Sequence, residues 1–197
     1  MGGNLLIGKI MKNCVKLMEP GKFYHVYNRA CGWKKMFITG DNFEYFLSLY
    51  DHYLGEYVNT YAYCLLPNHF HLLIQTKYLQ GIKDLGELYN QKFSNFFNSY
   101  AKAFNNYFSR KGNLFSQNFK KKEVGTDKYL RTLIIYIHQN PIKHGYAETY
   151  DDWEYSSYLE IMGDECTNCQ GNKVLEYFHN KKIFEFCHSF DIDIDVE

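Results

Sequence analysis

The sequence predicts an α+β fold in which an antiparallel β-sheet is flanked by helices. Three observations lead there. Short aromatic and β-branched runs are interspersed with longer stretches of helical periodicity. Two of the short runs, residues 60–66 and 69–75, are separated only by Pro67-Asn68, so they form a hairpin or one bent strand. The 197 residues are 46% hydrophobic, with three prolines and no Ser/Gly linker, which suits one packed unit.

Each element follows from its own pattern. Residues 1–20 read as a variable leader ending at Pro20-Gly21. Phe23-Tyr24-His25-Val26-Tyr27 is aromatic and β-branched, hence a strand. Asp41 is a candidate cap for a helix carrying Phe43, Phe46, Leu47 and Tyr50 at helical spacing. Residues 60–66 and 69–75 are the strands already noted. Residues 85–108 are long and amphipathic, with Tyr89, Phe93, Phe96, Phe97, Tyr100 and Phe104 on one stripe. Residues 119–124 suit a short edge strand. Asp127 is a candidate cap for a helix through Leu130, Leu133, Ile134 and Ile137, ending at Asn140-Pro141. A further helix closes the segment that starts near Trp153. This divides the chain into a leader (1–20), a principal domain (21–160) and an acidic extension (161–197).

The zero net charge conceals a strong asymmetry. Residues 1–147 carry 19 Lys/Arg against 9 Asp/Glu, a net +10, and residues 148–197 carry 3 against 13, a net −10. A basic body suits a phosphate backbone, and an acidic tail either shields that surface or keeps the protein in solution. Most of the 35 Phe and Tyr residues belong to core and surface packing; a minority are available to stack on unpaired bases. The six cysteines show no disulfide framework. Cys166-x2-Cys169 with His179, Cys187 and His188 is a weak zinc pattern, and free thiols in a mobile tail are the favoured reading. No apolar run approaches the ~20 residues that span a bilayer. No membrane partner is expected, and a cytoplasmic location is the default.

Two constellations carry chemistry. In His69-Phe70-His71 the imidazoles share one face of a strand while Phe70 points opposite, so two neutral nitrogens can grip one divalent cation. The same pattern also arises from two unrelated histidines on a solvated strand. In Tyr136-Ile137-His138-Gln139-Asn140, Tyr136 and Asn140 lie four apart on one helix face. Tyr136 offers a phenolic nucleophile and Asn140 a hard carbonyl ligand, with Gln139 an alternative oxygen donor. His138 falls on a different side. Candidate DNA contacts are Asn28, Arg29, Arg110, Lys111, Lys120, Lys121 and Lys122.

These motifs stand in an order that is itself specific. Tyr24-His25-Val26-Tyr27-Asn28-Arg29, then Ala62 to Leu73 (AYCLLPNHFHLL), Gly112 to Lys120 (GNLFSQNFK), Tyr136 to Gly145 (YIHQNPIKHG) and Trp153 to Tyr158 (WEYSSY) follow one another across about residues 23–160. This series resembles the REP-associated tyrosine transposases, relatives of the IS200-like single-tyrosine transposases. The resemblance implies a ferredoxin/RRM-like HUH endonuclease fold. It implies a metal site of His69, His71 and Asn140 holding Mg²⁺ or Mn²⁺, and Tyr136 as the nucleophile. The implied reaction is single-stranded DNA nicking and strand transfer through a 5′-phosphotyrosine, with no nucleotide cofactor. The implied partner is single-stranded or hairpin DNA, and a homodimer that exchanges the tyrosine helix is compatible with the family. Two positions depart from its pattern: Ala30 replaces the usual glycine, and Asn118 stands where an arginine is common. Both bear on target preference rather than on the reaction. Rival readings are a DNA-binding regulator on a transposase scaffold, an RNA-binding or RNA-processing protein, and a metal-dependent hydrolase without a covalent intermediate.

Overall fold

The structure is a computed structural model and describes residues 16–32, 34–116, 118–163 and 167–194. The leader up to residue 15, with Cys14, lies outside the described residues, as do Gln117 and Cys166. The elements run in the order β1 (Phe23–Arg29), α1 (Gly40–Leu54), β2 (Val58–Leu66), β3 (His69–Thr76), α2 (Leu85–Tyr107), β4 (Lys120–Val124) and α3 (Asp127–Lys143). A 3₁₀ turn (Tyr150–Asp152) then leads to α4 (Ser157–Met162), α5 (Gly171–Tyr177) and α6 (Lys181–His188).

The four strands form an antiparallel sheet in the order β2-β3-β1-β4. Residues 60–66 and 69–75 therefore form a hairpin. It turns at Pro67-Asn68, and Leu66 pairs with His69. The turn is anchored from outside: the Pro67 carbonyl accepts from the Met36 and Phe37 amides, and the Asn68 carbonyl from the Ala30 amide.

Strand alternation sends side chains into two cores. On one face Tyr24, Val26, Phe70, Leu72 and Ile74 meet α1 and α2. This core is aromatic: the Phe46 ring touches those of Phe37, Phe70, Phe96 and Tyr100. On the other face Ala62, Cys64, Leu66 and Leu73 meet Leu130, Leu133, Ile134 and Ile137 of α3, together with residues from α4, α5 and α6.

Three local expectations are corrected. Thr39, not Asp41, is the N-cap of α1, and the Asn42 carboxamide accepts from the Thr39 amide at 3.2 Å. Thr126, not Asp127, caps α3, accepting from the Tyr129 amide at 3.2 Å. In both helices the acidic residue lies one or two positions inside, where it still faces the positive helix end. Helix α3 also continues through Pro141 to Lys143. The proline removes one amide from the ladder, and the Asn140 side chain donates nearby to the Tyr136 carbonyl at 2.7 Å. The His144 amide then closes the last turn on the Asn140 carbonyl at 3.0 Å.

The acidic extension is built onto the domain. Phe178 and Phe184 are buried in the α3-side core. On the outer side of β2, the Leu65 amide donates to the Tyr155 carbonyl and the Gln170 amide to the Thr60 carbonyl. The Trp153 indole donates to the Leu65 carbonyl at 2.9 Å. At the other end of the chain, residues 16–20 lie against the sheet, with Met18 buried.

Candidate active site

Strand β3 delivers the two histidines. Phe70 is fully buried in the aromatic core, and its neighbours His69 and His71 project from the opposite face, toward α3. Their rings are 5.2 Å apart and nearly perpendicular. His69 Nδ1 lies 2.8 Å from Asn68 Oδ1, and its ring lies 4.7 Å from that of His144, just beyond α3.

Register on the adjacent strand adds a residue that sequence reasoning missed. Tyr27 pairs with His71, and His25 with Leu73, so the side chains of β1 at 25, 27 and 29 share the histidine face. His25 Nε2 lies 2.9 Å from His71 Nδ1, and both residues are buried. Burial is the main cause that holds His71 well below the ordinary histidine range, and His25, His69, His144 and Arg29 add to it. Burial, with Lys122 behind it, pushes His25 down to about 3. Both imidazoles are therefore neutral lone-pair donors at physiological pH.

Helix α3 brings the phenol. Tyr136 is half-buried, and its ring meets that of His71 edge-on, centroids 5.6 Å apart at 86°. The Lys143 ammonium lies 5.7 Å from the Tyr136 ring centre. Asn140 is buried one turn further on and its Nδ2 donates to the Tyr136 carbonyl, so a cation would meet it through Oδ1. Gln139 is not an alternative donor: Oε1 accepts from the Ile192 amide at 3.1 Å, and Nε2 donates to the Phe190 carbonyl at 2.6 Å. His138 faces away, into a buried chain. Its Nδ1 is 2.9 Å from His188 Nε2 and its Nε2 is 2.8 Å from Ser157 Oγ.

The donor chemistry suits a divalent cation. His71 Nε2 is buried with no protein hydrogen bond, and Nδ1 is already engaged by His25. Among the described residues no group of three His, Cys, Asp or Glu side chains is placed to hold a metal. A three-ligand site therefore needs an oxygen from elsewhere, and Asn140 Oδ1 is of that type. The zinc pattern fares differently. Both ring nitrogens of His188 are occupied, by His138 and by the Phe184 carbonyl at 2.7 Å, and neither Cys169 nor Cys187 is in a disulfide.

A small cavity of about 150 Å³ opens at the histidines, lined by Tyr27, Arg29, Ser116 and Lys120 as well. It adjoins a groove of about 1010 Å³ between α2 and β4, lined by Asn28, Asn90, Asn98, Lys102, Lys120 and Lys121. The candidate DNA contacts divide accordingly. Lys120 and Lys122 lie on the histidine face of β4, whereas Lys121 lies on the α2 face and donates to Asn90. Asn28 is buried, its Oδ1 accepting from the Arg29 amide at 2.9 Å. Arg29 and Lys111 are exposed. The Arg110 guanidinium lies 5.5 Å above the Phe104 ring with its terminal nitrogens buried.

Known proteins resemble this chain in sequence and in fold. The family model for IS200-like transposases matches residues 24–140. A REP-associated tyrosine transposase from Haemophilus influenzae is 32% identical over 113 residues, which are 55% of this chain and 61% of that protein. The match thus spans less than two thirds of that relative's length. The solved structure of a REP-associated tyrosine transposase bound to a REP hairpin superposes with a TM-score of 0.56 at 17% identity, covering 79% of this chain and 93% of that one. That likeness shows the α+β fold of a four-stranded antiparallel sheet with flanking helices. With the family model covering more than half of its length, the chain belongs to the IS200-like transposase family.

Proposed function

We propose that this protein cuts and rejoins single-stranded DNA at or beside a hairpin, with Tyr136 as the nucleophile. The observation that carries the reading is the edge-on packing of the Tyr136 ring against His71, which joins the phenol of α3 to the imidazole pair of β3. A Mg²⁺ or Mn²⁺ ion held by His69, His71 and Asn140 Oδ1 would supply a Lewis acid for a non-bridging oxygen of the scissile phosphate.

The chain's own groups do the rest. The Tyr136 oxygen forms a bond to phosphorus as the bond to the 3′-oxygen breaks, and the phenol's proton is balanced by the one gained by the released 3′-hydroxyl. The product is a 5′-phosphotyrosine, which keeps the free energy of the broken linkage for rejoining. Attack by another 3′-hydroxyl reverses the step and returns the proton to Tyr136. Lys120 lines both the cavity and the groove, so it is placed to steer a phosphate from one to the other. The hairpin bound by the structural neighbour supports a hairpin as the ligand of the groove.

A single-stranded hairpin oligonucleotide with Mn²⁺ tests the proposal. Wild type is expected to give a protein–DNA adduct on a denaturing gel, and Tyr136→Phe to give none while binding the same DNA. Cleavage without an adduct would favour a water-using hydrolase, and binding without cleavage a DNA-binding regulator. Preferential cleavage of a matched RNA would favour an RNA-processing role.

A further inference from the structure

We propose that His25 is a positioning residue for His71: its ring nitrogen engages His71 Nδ1 and so commits His71 Nε2 to ligand binding. The inference rests on the metal site proposed above, and goes beyond it by naming a residue outside the H-x-H and tyrosine motifs.

The geometry is specific. His25 and His71 are diagonal neighbours on the paired strands β1 and β3, and the Nε2–Nδ1 separation is 2.9 Å. The rings are close to parallel, 15° apart with centroids at 5.1 Å. Tyr27 holds this pose from the side, stacking on His25 at 4.6 Å and 20° and on His71 at 5.9 Å and 21°. The two imidazoles thus meet edge to edge, with the Tyr27 ring packed beside them, on the face that looks toward α3.

One hydrogen bond fixes one tautomer. A neutral imidazole has a single N–H and a single lone pair. For His71 to offer its Nε2 lone pair, the proton must sit on Nδ1 and donate to His25 Nε2; the His25 proton is then on Nδ1. The number of protons is the same in every tautomer, so the pairing acts by orientation. Among the described residues, the His25 side chain hydrogen-bonds only to His71. Its Nδ1 is buried without a protein hydrogen bond, a position that an apolar ring would fill without an orphaned polar atom. Outer partners of this kind, usually carboxylates or carbonyls, orient metal-ligating histidines.

The test is Mn²⁺ binding to the full chain without DNA, read by electron paramagnetic resonance, for wild type, His25→Phe, His25→Gln and His71→Ala. Glutamine places an amide near the Nε2 position, whereas phenylalanine keeps a ring beside Tyr27 and removes the hydrogen bond. His25→Phe is expected to weaken Mn²⁺ binding roughly 10- to 100-fold, and His25→Gln to recover most of that loss. Should His25→Phe not fold, His25→Leu serves the same comparison. Wild-type affinity in the apolar variant, with binding lost in His71→Ala, would overturn the role of His25 and leave the metal site standing. If wild type takes up no Mn²⁺, or His71→Ala binds as wild type does, the metal reading itself fails and the role of His25 falls with it.

Discussion

The Tyr136 ring meets the His71 ring edge-on, with centroids 5.6 Å apart, although the two residues come from a helix and a strand 65 positions apart in sequence. The proposed nucleophile and a proposed metal ligand therefore share one packing contact. Removing the imidazole takes away both a nitrogen donor and a wall of the phenol's pocket. His69→Ala and His71→Ala are each expected to reduce cleavage of a hairpin oligonucleotide at least 100-fold while leaving DNA binding within a few-fold. Full cleavage in EDTA would contradict the metal role.

DNA affinity should depend on the β4 lysines unequally. Lys120 faces the cavity, whereas Lys121 is half-buried and already tied to Asn90. Lys120→Ala is expected to lower the slope of log affinity against log salt by about 0.7 for a single-stranded ligand. Lys121→Ala should change it less. Equal slopes for both variants and wild type, measured by fluorescence anisotropy, would remove β4 from the interface.

Stability should fall with acid through a defined window. Histidine in an unfolded chain titrates near 6.5, whereas burial pushes His188 down to about 4 and holds His138 well below the ordinary range. The folded state therefore favours the neutral forms. Their contribution is intact above about pH 6.5 and is lost as pH falls toward 4, at up to about 1.4 kcal/mol per pH unit for each group. Thermal unfolding between pH 7 and 4 measures this. His188→Gln should flatten the dependence, and an unchanged slope would refute the assignment.

Phe46 is the hub of the aromatic core, touching Phe37, Phe70, Phe96 and Tyr100 with no exposed surface. Phe46→Ala is expected to cost about 3–5 kcal/mol by denaturant unfolding. The loss should also reach the site, because Phe70 anchors β3 between its two histidines.

Much of this was legible because the signals are periodic. Two-residue alternation places His69 and His71 together and Phe70 opposite, and the sheet keeps that parity. The four-residue step from Tyr136 to Asn140 puts both on one helix face, and it survives Pro141 because the helix continues beyond it. What was not legible lies in long-range pairing. His25 stands alone in its strand, and only the register with a residue 46 positions away gives it a partner. Its parity with Tyr27 and Arg29 was the available signal. The charge of the extension suggests only a mobile acidic tail that shields the basic surface or keeps the protein in solution. Its anchors are instead Phe178, Phe184 and a His138–His188 bond that spans 50 positions.

The sheet has two borders, and the chain treats them differently. Along β2 the unpaired backbone groups are taken up in part by Tyr155 and Gln170, so that border is partly covered. Along β4, which ends the sheet among the described residues, three consecutive lysines stand. Positive charge on an open strand discourages a second copy from adding its own strand and seeding aggregates. The residues that would greet a polyanion would thus also disfavour strand-to-strand pairing of two copies at this border. A variant stripped of all three should be judged for self-association before any loss of DNA affinity is ascribed to a missing contact.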